Sequence, residues 1–247
     1  MLTAALSPAT LATLSLSAMG LHPASGGDGL AAERRRFPSG IKVLDQFLEG
    51  GLPRGAVTEW CAPFGGGGLE ALLPWLARAT TRGLDDGNES WGSQSGAWAL
   101  WIHAHPQLMP YPPAWAARGV DLTRLRFACS GVPLAELRPI FLEPLFRLIV
   151  LHAPHSFTEE DCAFVARQAR AQDQVVVIVR DEAAEDAQMP ARKGATKRAA
   201  KAGSIWARLR VHAARDMATG HLKLDVRRGL SPRQLTLTDD VLKGGSF

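Results

Sequence analysis

Four consecutive glycines, Gly65-Gly66-Gly67-Gly68, stand between the apolar run Ala56 to Cys61 and a helical pattern that begins at Leu69. A glycine-rich turn that leads from a strand into a helix can wrap its backbone N–H groups round an anion. Phosphoryl transfer asks more of such a loop: a lysine that reaches the β and γ oxygens, and a Ser or Thr hydroxyl that holds Mg²⁺. The residue after the fourth glycine is Leu69, and the sequence has no lysine between Lys42 and Lys193. The tetraglycine therefore reads either as a weak anion nest or as a turn that binds nothing.

His103, His105, His152 and His155 cluster at the ends of two other apolar runs, the place where α/β proteins gather their ligands. A His-x-His with a second pair could hold Zn²⁺, but these spacings match no closed zinc motif and Cys61, Cys129 and Cys162 lie elsewhere in the sequence. Strand-end histidines without a metal are the expectation.

Charge is the third chemical signal. The chain carries a formal +4, yet Ala191 to Arg233 holds twelve basic residues (Arg192, Lys193, Lys197, Arg198, Lys201, Arg208, Arg210, Arg215, Lys223, Arg227, Arg228 and Arg233) against Asp216 and Asp225. A basic third on a mildly acidic remainder points to a polyanion, most commonly nucleic acid. Arg192-Lys193, Lys197-Arg198 and Lys201 sit among small residues in a polar stretch, 181–203, where they could make salt-sensitive phosphate contacts of no sequence preference or simply be solvated. Trp206 is the one aromatic close by.

The elements that would position these residues follow from periodicity. Ala56 to Cys61, Ala97 to His103, Arg124 to Cys129, Arg147 to Leu151 and Gln174 to Arg180 read as strands, with helices over Leu69 to Arg82, Pro113 to Arg118, Leu134 to Leu145 and Phe157 to Ala171. Leu148-Ile149-Val150-Leu151 and Val175 to Val179 are apolar without alternation, as parallel strands covered on both faces must be. The last helix opens on Glu159-Glu160-Asp161, where a helix N-terminus favours negative charge. Ala207 to Ala213, His221 to Arg227 and Gln234 to Thr238 alternate, and read as an antiparallel C-terminal extension. The fold class is α/β, with a mostly parallel central sheet.

At 247 residues and 46% apolar content the chain can build one large α/β core. Residues 1–36 read as an N-terminal appendage, with a short helix around Pro8 to Met19, a Gly/Ser/Pro linker and Arg34-Arg35-Arg36. Such a segment is either a flexible tail or a docking or oligomerising arm. The core domain is expected over 37–247. Three unpaired cysteines in apolar segments fit reduced thiols in a cytoplasmic core. The apolar stretch Leu2 to Met19 lacks a basic n-region, and no run reaches the length of a membrane span.

The run Ser39-Gly40-Ile41-Lys42-Val43-Leu44-Asp45, followed by Gly50-Gly51-Leu52-Pro53-Arg54-Gly55-Ala56-Val57-Thr58-Glu59, resembles the entry to a RecA-like P-loop core. Several turn glycines and a proline keep a fixed order there over about twenty positions. Trp101-Ile102-His103, Pro110-Tyr111-Pro112-Pro113-Ala114 and Gly119-Val120-Asp121-Leu122 are similar to the ImuA-type branch, RecA-like partners of mutagenic translesion polymerases.

The resemblance also says where chemistry should be. It puts Gly68 at the P-loop lysine, Leu69 at the threonine, His152 at the Walker B aspartate, His105 at the water-activating glutamate and Asp181 at the γ-phosphate-sensing glutamine. It likens Arg227-Arg228 to a basic pair that in active filaments reaches a neighbour's nucleotide. With those stations replaced, no catalytic residue, cofactor or metal is expected. The implied function is a non-catalytic accessory in DNA-damage-induced translesion synthesis (SOS mutagenesis), cytoplasmic and not membrane-bound. Its implied partners are a RecA-type recombinase, an ImuB-like polymerase-family protein and single-stranded DNA. The resemblance leaves two alternatives: a SulA-like division inhibitor that binds a tubulin-like filament protein, and a residual ATPase.

Overall fold

The sheet is built outward from two strands whose side chains leave no polar face. Val175–Arg180 (β7) and Phe146–His152 (β6) are buried almost end to end, so both need cover above and below and both need parallel neighbours. The structure, a computed structural model, describes residues 35–82, 97–108, 110–152, 157–181 and 205–243. Around β6 and β7 it places Ala56–Cys61 (β3), Trp98–His103 (β4), Leu125–Cys129 (β5), Ala207–Arg215 (β8), Leu222–Arg228 (β9) and Arg233–Leu237 (β10) in one eight-stranded sheet. The strand order is β10-β9-β8-β3-β7-β6-β4-β5. Arg36–Phe37 (β1) and Leu52–Pro53 (β2) form a separate antiparallel pair.

β8 departs from the sequence expectation. It lies parallel to β3, and the antiparallel pairings of this sheet are those of β8 with β9 and of β9 with β10. The connection lengths explain this. Residues 181–206 are enough for the crossover that parallel pairing requires, whereas 216–221 and 229–232 allow only hairpins.

Prolines reshape two helices. Pro74 has no N–H to give Glu70, so the chain turns through a 3₁₀ segment, Gly68–Leu72, before the α-helix Leu73–Arg82 (α2) begins. Pro139 cannot bond to Ala135, and the expected helix over Leu134 to Leu145 is split into Pro133–Glu136 (α4) and Arg138–Leu142 (α5). Lys42–Phe47 (α1) and Pro112–Ala116 (α3) are short. Glu159–Gln172 (α6) is the long helix, and a reciprocal Thr158–Asp161 capping box starts it. Asp239–Lys243 (α7) closes the described chain.

One apolar cluster, with Trp60, Trp75, Trp101 and Leu76, fills one face of the sheet; a second, with Val57, Ile149, Cys162 and Val165, fills the other under α6. The entry motif is structural. The Asp45 carboxylate accepts from the Ser39 and Gly40 amides at 2.6 and 3.0 Å, and a Cβ on Gly51 would lie 2.1 Å from the Phe37 carbonyl oxygen. Cys61 and Cys162 are buried, but Cys129 is exposed at the end of the edge strand and is no part of the core.

Candidate functional site

Parallel strands β3, β7, β6 and β4 deliver their C-terminal ends to one edge of the sheet, and the glycine loop, Asp181, His152 and His103 all follow from those ends. Gly65 and Gly67 take positive φ, +73° and +69°, and the Gly66 amide donates to Pro63 O at 2.8 Å. The loop is then tied inward. Gly66 O accepts from the Arg215 amide at 2.7 Å, and Gly68 O accepts from Trp60 Nε1 at 3.0 Å.

Contact with β8 is close enough to exclude any side chain at the fourth glycine. A Cβ on Gly68 would stand 2.1 Å from Ala213 O, and one on Gly67 would stand 2.9 Å from Arg215 Nε. The guanidinium of Arg215 is itself occupied: it bonds Glu70 and Asp239, each at 2.6 Å, and also Gly220 O. The Asp239 hydrogen bond, with help from Glu70, raises its pKa further above the ordinary arginine value. Arg118 approaches Glu70 at 3.8 Å. Two arginines thus come to the loop from distant sequence, each facing a carboxylate of the chain. In the sequence Arg215 is one of twelve basic residues that point to a polyanion, and Glu70 and Asp239 beside it are not visible there.

His103 and His152 are neighbours in register on β4 and β6, both nearly buried. His103 Nδ1 lies 2.9 Å from His105 O, and His105 Nδ1 accepts from the Gln107 amide at 3.2 Å. His152 packs edge-on to Trp101, and its Nδ1 is buried with no hydrogen-bond partner among the described residues. Burial, and secondarily the charge of His103, lowers its pKa to about 4, with Asp181 acting the other way. No group of three His, Cys, Asp or Glu among the described residues has the arrangement of a metal site. His155 lies outside the described residues.

On the opposite face the fully buried Glu59 carboxylate meets Arg180 Nε at 3.0 Å and Arg210 Nε at 3.9 Å. Arg210 Nε also reaches Cys61 Sγ at 3.3 Å, and an Arg180 Nη lies 3.9 Å from Cys162 Sγ. Sequence reasoning missed this cluster. Its signal was present: lone charges inside otherwise apolar strands, AVTEWC, VVVIVR and ARLRVHAAR.

Of the expected nucleic-acid contacts, Arg192, Lys193, Lys197, Arg198 and Lys201 lie outside the described residues. Arg227 and Arg228 end β9, at the edge of the sheet opposite the glycine loop. Arg227 bridges Asp225 at 2.5 Å, and Arg228 donates to Ile205 O at 2.9 Å. Among the described residues no helix is long and apolar enough to cross a membrane. No model of a known protein family matches the chain, and no curated protein matches it.

Proposed function

We propose that the chain is a RecA-like accessory protein of damage-induced translesion synthesis, of the ImuA type, which acts by binding a recombinase, a polymerase-like partner or single-stranded DNA, and hydrolyses nothing. The observation that carries the non-catalytic part is Gly68. It stands where the resemblance puts the phosphate-reaching lysine, and a Cβ there would overlap the Ala213 carbonyl. An active P-loop must offer both a cation and open space for the phosphates; this loop offers its cation, Arg215, to Glu70 and Asp239 instead. His152 at the Walker B station supports the reading too, because a buried neutral imidazole cannot hold the water shell of Mg²⁺ as a hard carboxylate does.

The test is genetic. Deleting the gene should remove most damage-induced mutations while leaving growth without damage unchanged, and the wild-type chain supplied in trans should restore them. Filamentation after damage that disappears in the deletion, with mutation frequency unaltered, would favour the division-inhibitor reading.

A further inference from the structure

At the edge of the sheet opposite the glycine loop, two adjacent strands each carry an extra residue, and both extra residues are arginines. Pairing of β3 with β8 runs from Val57–Ala207 directly to Thr58–Leu209, which leaves Arg208 as a bulge. Pairing of β8 with β9 runs from Arg210–Arg228 to Val211–Val226, which leaves Arg227 as a second. Bulges break the ladder to re-aim a side chain, and they recur beside binding sites.

The backbones here are pressed together. Gly229 takes φ +91°, and a Cβ on it would lie 2.0 Å from Arg208 O. Arg228 fastens the entry to β8 through Ile205 O at 2.9 Å; Ile205 and the Trp206 that follows it are 69% and 46% exposed. Arg36 is close enough for the charge of Arg208 to lower its pKa, after burial, with Glu49 opposing. Among the described residues the acidic groups at this end include Glu49, which also bonds Arg233, Asp225 on Arg227, and Asp173, which pairs with Arg54 and Arg35. Arg36, Arg208, Arg227 and Arg228 thus lie at the same end of the sheet as the exposed Trp206.

We infer that this end of the sheet binds a single-stranded nucleic acid, with Trp206 as the platform for one base, Arg36, Arg208 and Arg227 as phosphate ligands, and Arg228 as the residue that positions the platform. Guanidinium groups pair with phosphate oxygens through planar forks, and an exposed indole takes any base face. A duplex keeps its base faces stacked internally and cannot use the indole. An acidic protein segment would use the arginines but would gain nothing from the ring. The inference rests on the proposed reading of the chain as a nucleic-acid-handling accessory, and it deepens that reading by naming a site.

The test uses the full chain and fluorescence anisotropy with labelled oligo-dT, oligo-U and a duplex of about the same length, over a series of salt concentrations. Wild type should bind a single strand more tightly than the duplex. Trp206→Ala should weaken binding about tenfold with the salt slope kept, and Trp206→Phe should recover most of the loss. Arg36→Gln with Arg208→Gln should weaken binding and flatten the slope by roughly one to two, because each phosphate left without its arginine releases about one counterion fewer. Preference for oligo-U over oligo-dT would support the site and assign its ligand as RNA.

A 5-iododeoxyuridine oligonucleotide irradiated on the wild-type protein should crosslink to Trp206, a readout that needs no variant to fold. Wild-type binding that both variants retain in full, or a crosslink confined to other segments, overturns the site while leaving the accessory reading standing. Loss on the arginine changes but none on Trp206→Ala overturns it in favour of an acidic protein partner. Failure of wild type to bind any single strand overturns the inference together with the nucleic-acid part of the proposed function, and leaves the mutagenesis test to decide the rest.

Discussion

His152 sits where a carboxylate would serve magnesium, and its surroundings make it a neutral residue of the core. Folding holds its pKa at about 4 against an ordinary 6.5. Between those values the unfolded chain takes up a proton that the folded chain refuses. The stability contribution is therefore complete above pH 6.5 and is lost as pH falls through that window to about 4. At about 1.4 kcal/mol per pH unit the loss amounts to roughly 2–3 kcal/mol. Thermal melts at pH 7, 6, 5 and 4.5 should show the wild type losing this increment and a His152→Phe variant losing less over the same range. Parallel pH profiles for the two proteins would mean that His152 is not the group responsible. A polar residue at the end of an apolar run was visible in the sequence. Its neutrality was not, because the cause is Trp101 and His103 packed beside it from another strand.

Among the elements, β3 holds the sheet together through an ion pair as well as through packing. Glu59 on β3 faces Arg210 on β8 and Arg180 on β7, so one carboxylate spans three strands. Removing its charge would leave two guanidinium groups without their shared anion, one of them almost wholly buried. Breaking a buried pair from one side costs about 3–5 kcal/mol. Glu59→Gln should lower the urea midpoint accordingly, and a midpoint within experimental scatter of wild type would show that the cluster is not a structural clamp.

The strands themselves were legible. β6 and β7 are unalternating apolar runs that only a doubly covered parallel strand accommodates, and all eight sheet strands fall within a residue or two of their expected bounds. Three things were hidden. The direction of β8 depends on the length of the connection before it. The helix breaks at Pro74 and Pro139 require counting back four residues from each proline. The Glu59 cluster requires knowing that β3 lies between β7 and β8.

For the whole molecule the lesson concerns charge. Twelve basic residues between Ala191 and Arg233 point to a polyanion partner, but the fold turns several of them inward or pairs them. Arg210 goes to Glu59, Arg215 to Glu70 and Asp239, Lys223 to Asp216 at 2.6 Å, and Arg233 to Glu49. Three of those four pairings join residues far apart in the chain, which is why a running tally of charge could not find them. Arg208, Arg227, which bridges Asp225, and Arg228, which bonds Ile205 O, lie at the bulged end of β8 and β9, away from the glycine loop. The two ends of the sheet thus differ: at one the glycine loop is tied to β8 and Arg215 to Glu70 and Asp239, and at the other arginines that pair with Glu49, Asp173 and Asp225 lie at the same end as the exposed Trp206. The proposed account, binding without hydrolysis, is tested most directly by steady-state ATP turnover of the purified full chain in Mg²⁺, with and without single-stranded DNA. It predicts background rates in both conditions. A DNA-stimulated rate that follows the protein through gel filtration and is lost on Gly65→Ala would contradict it.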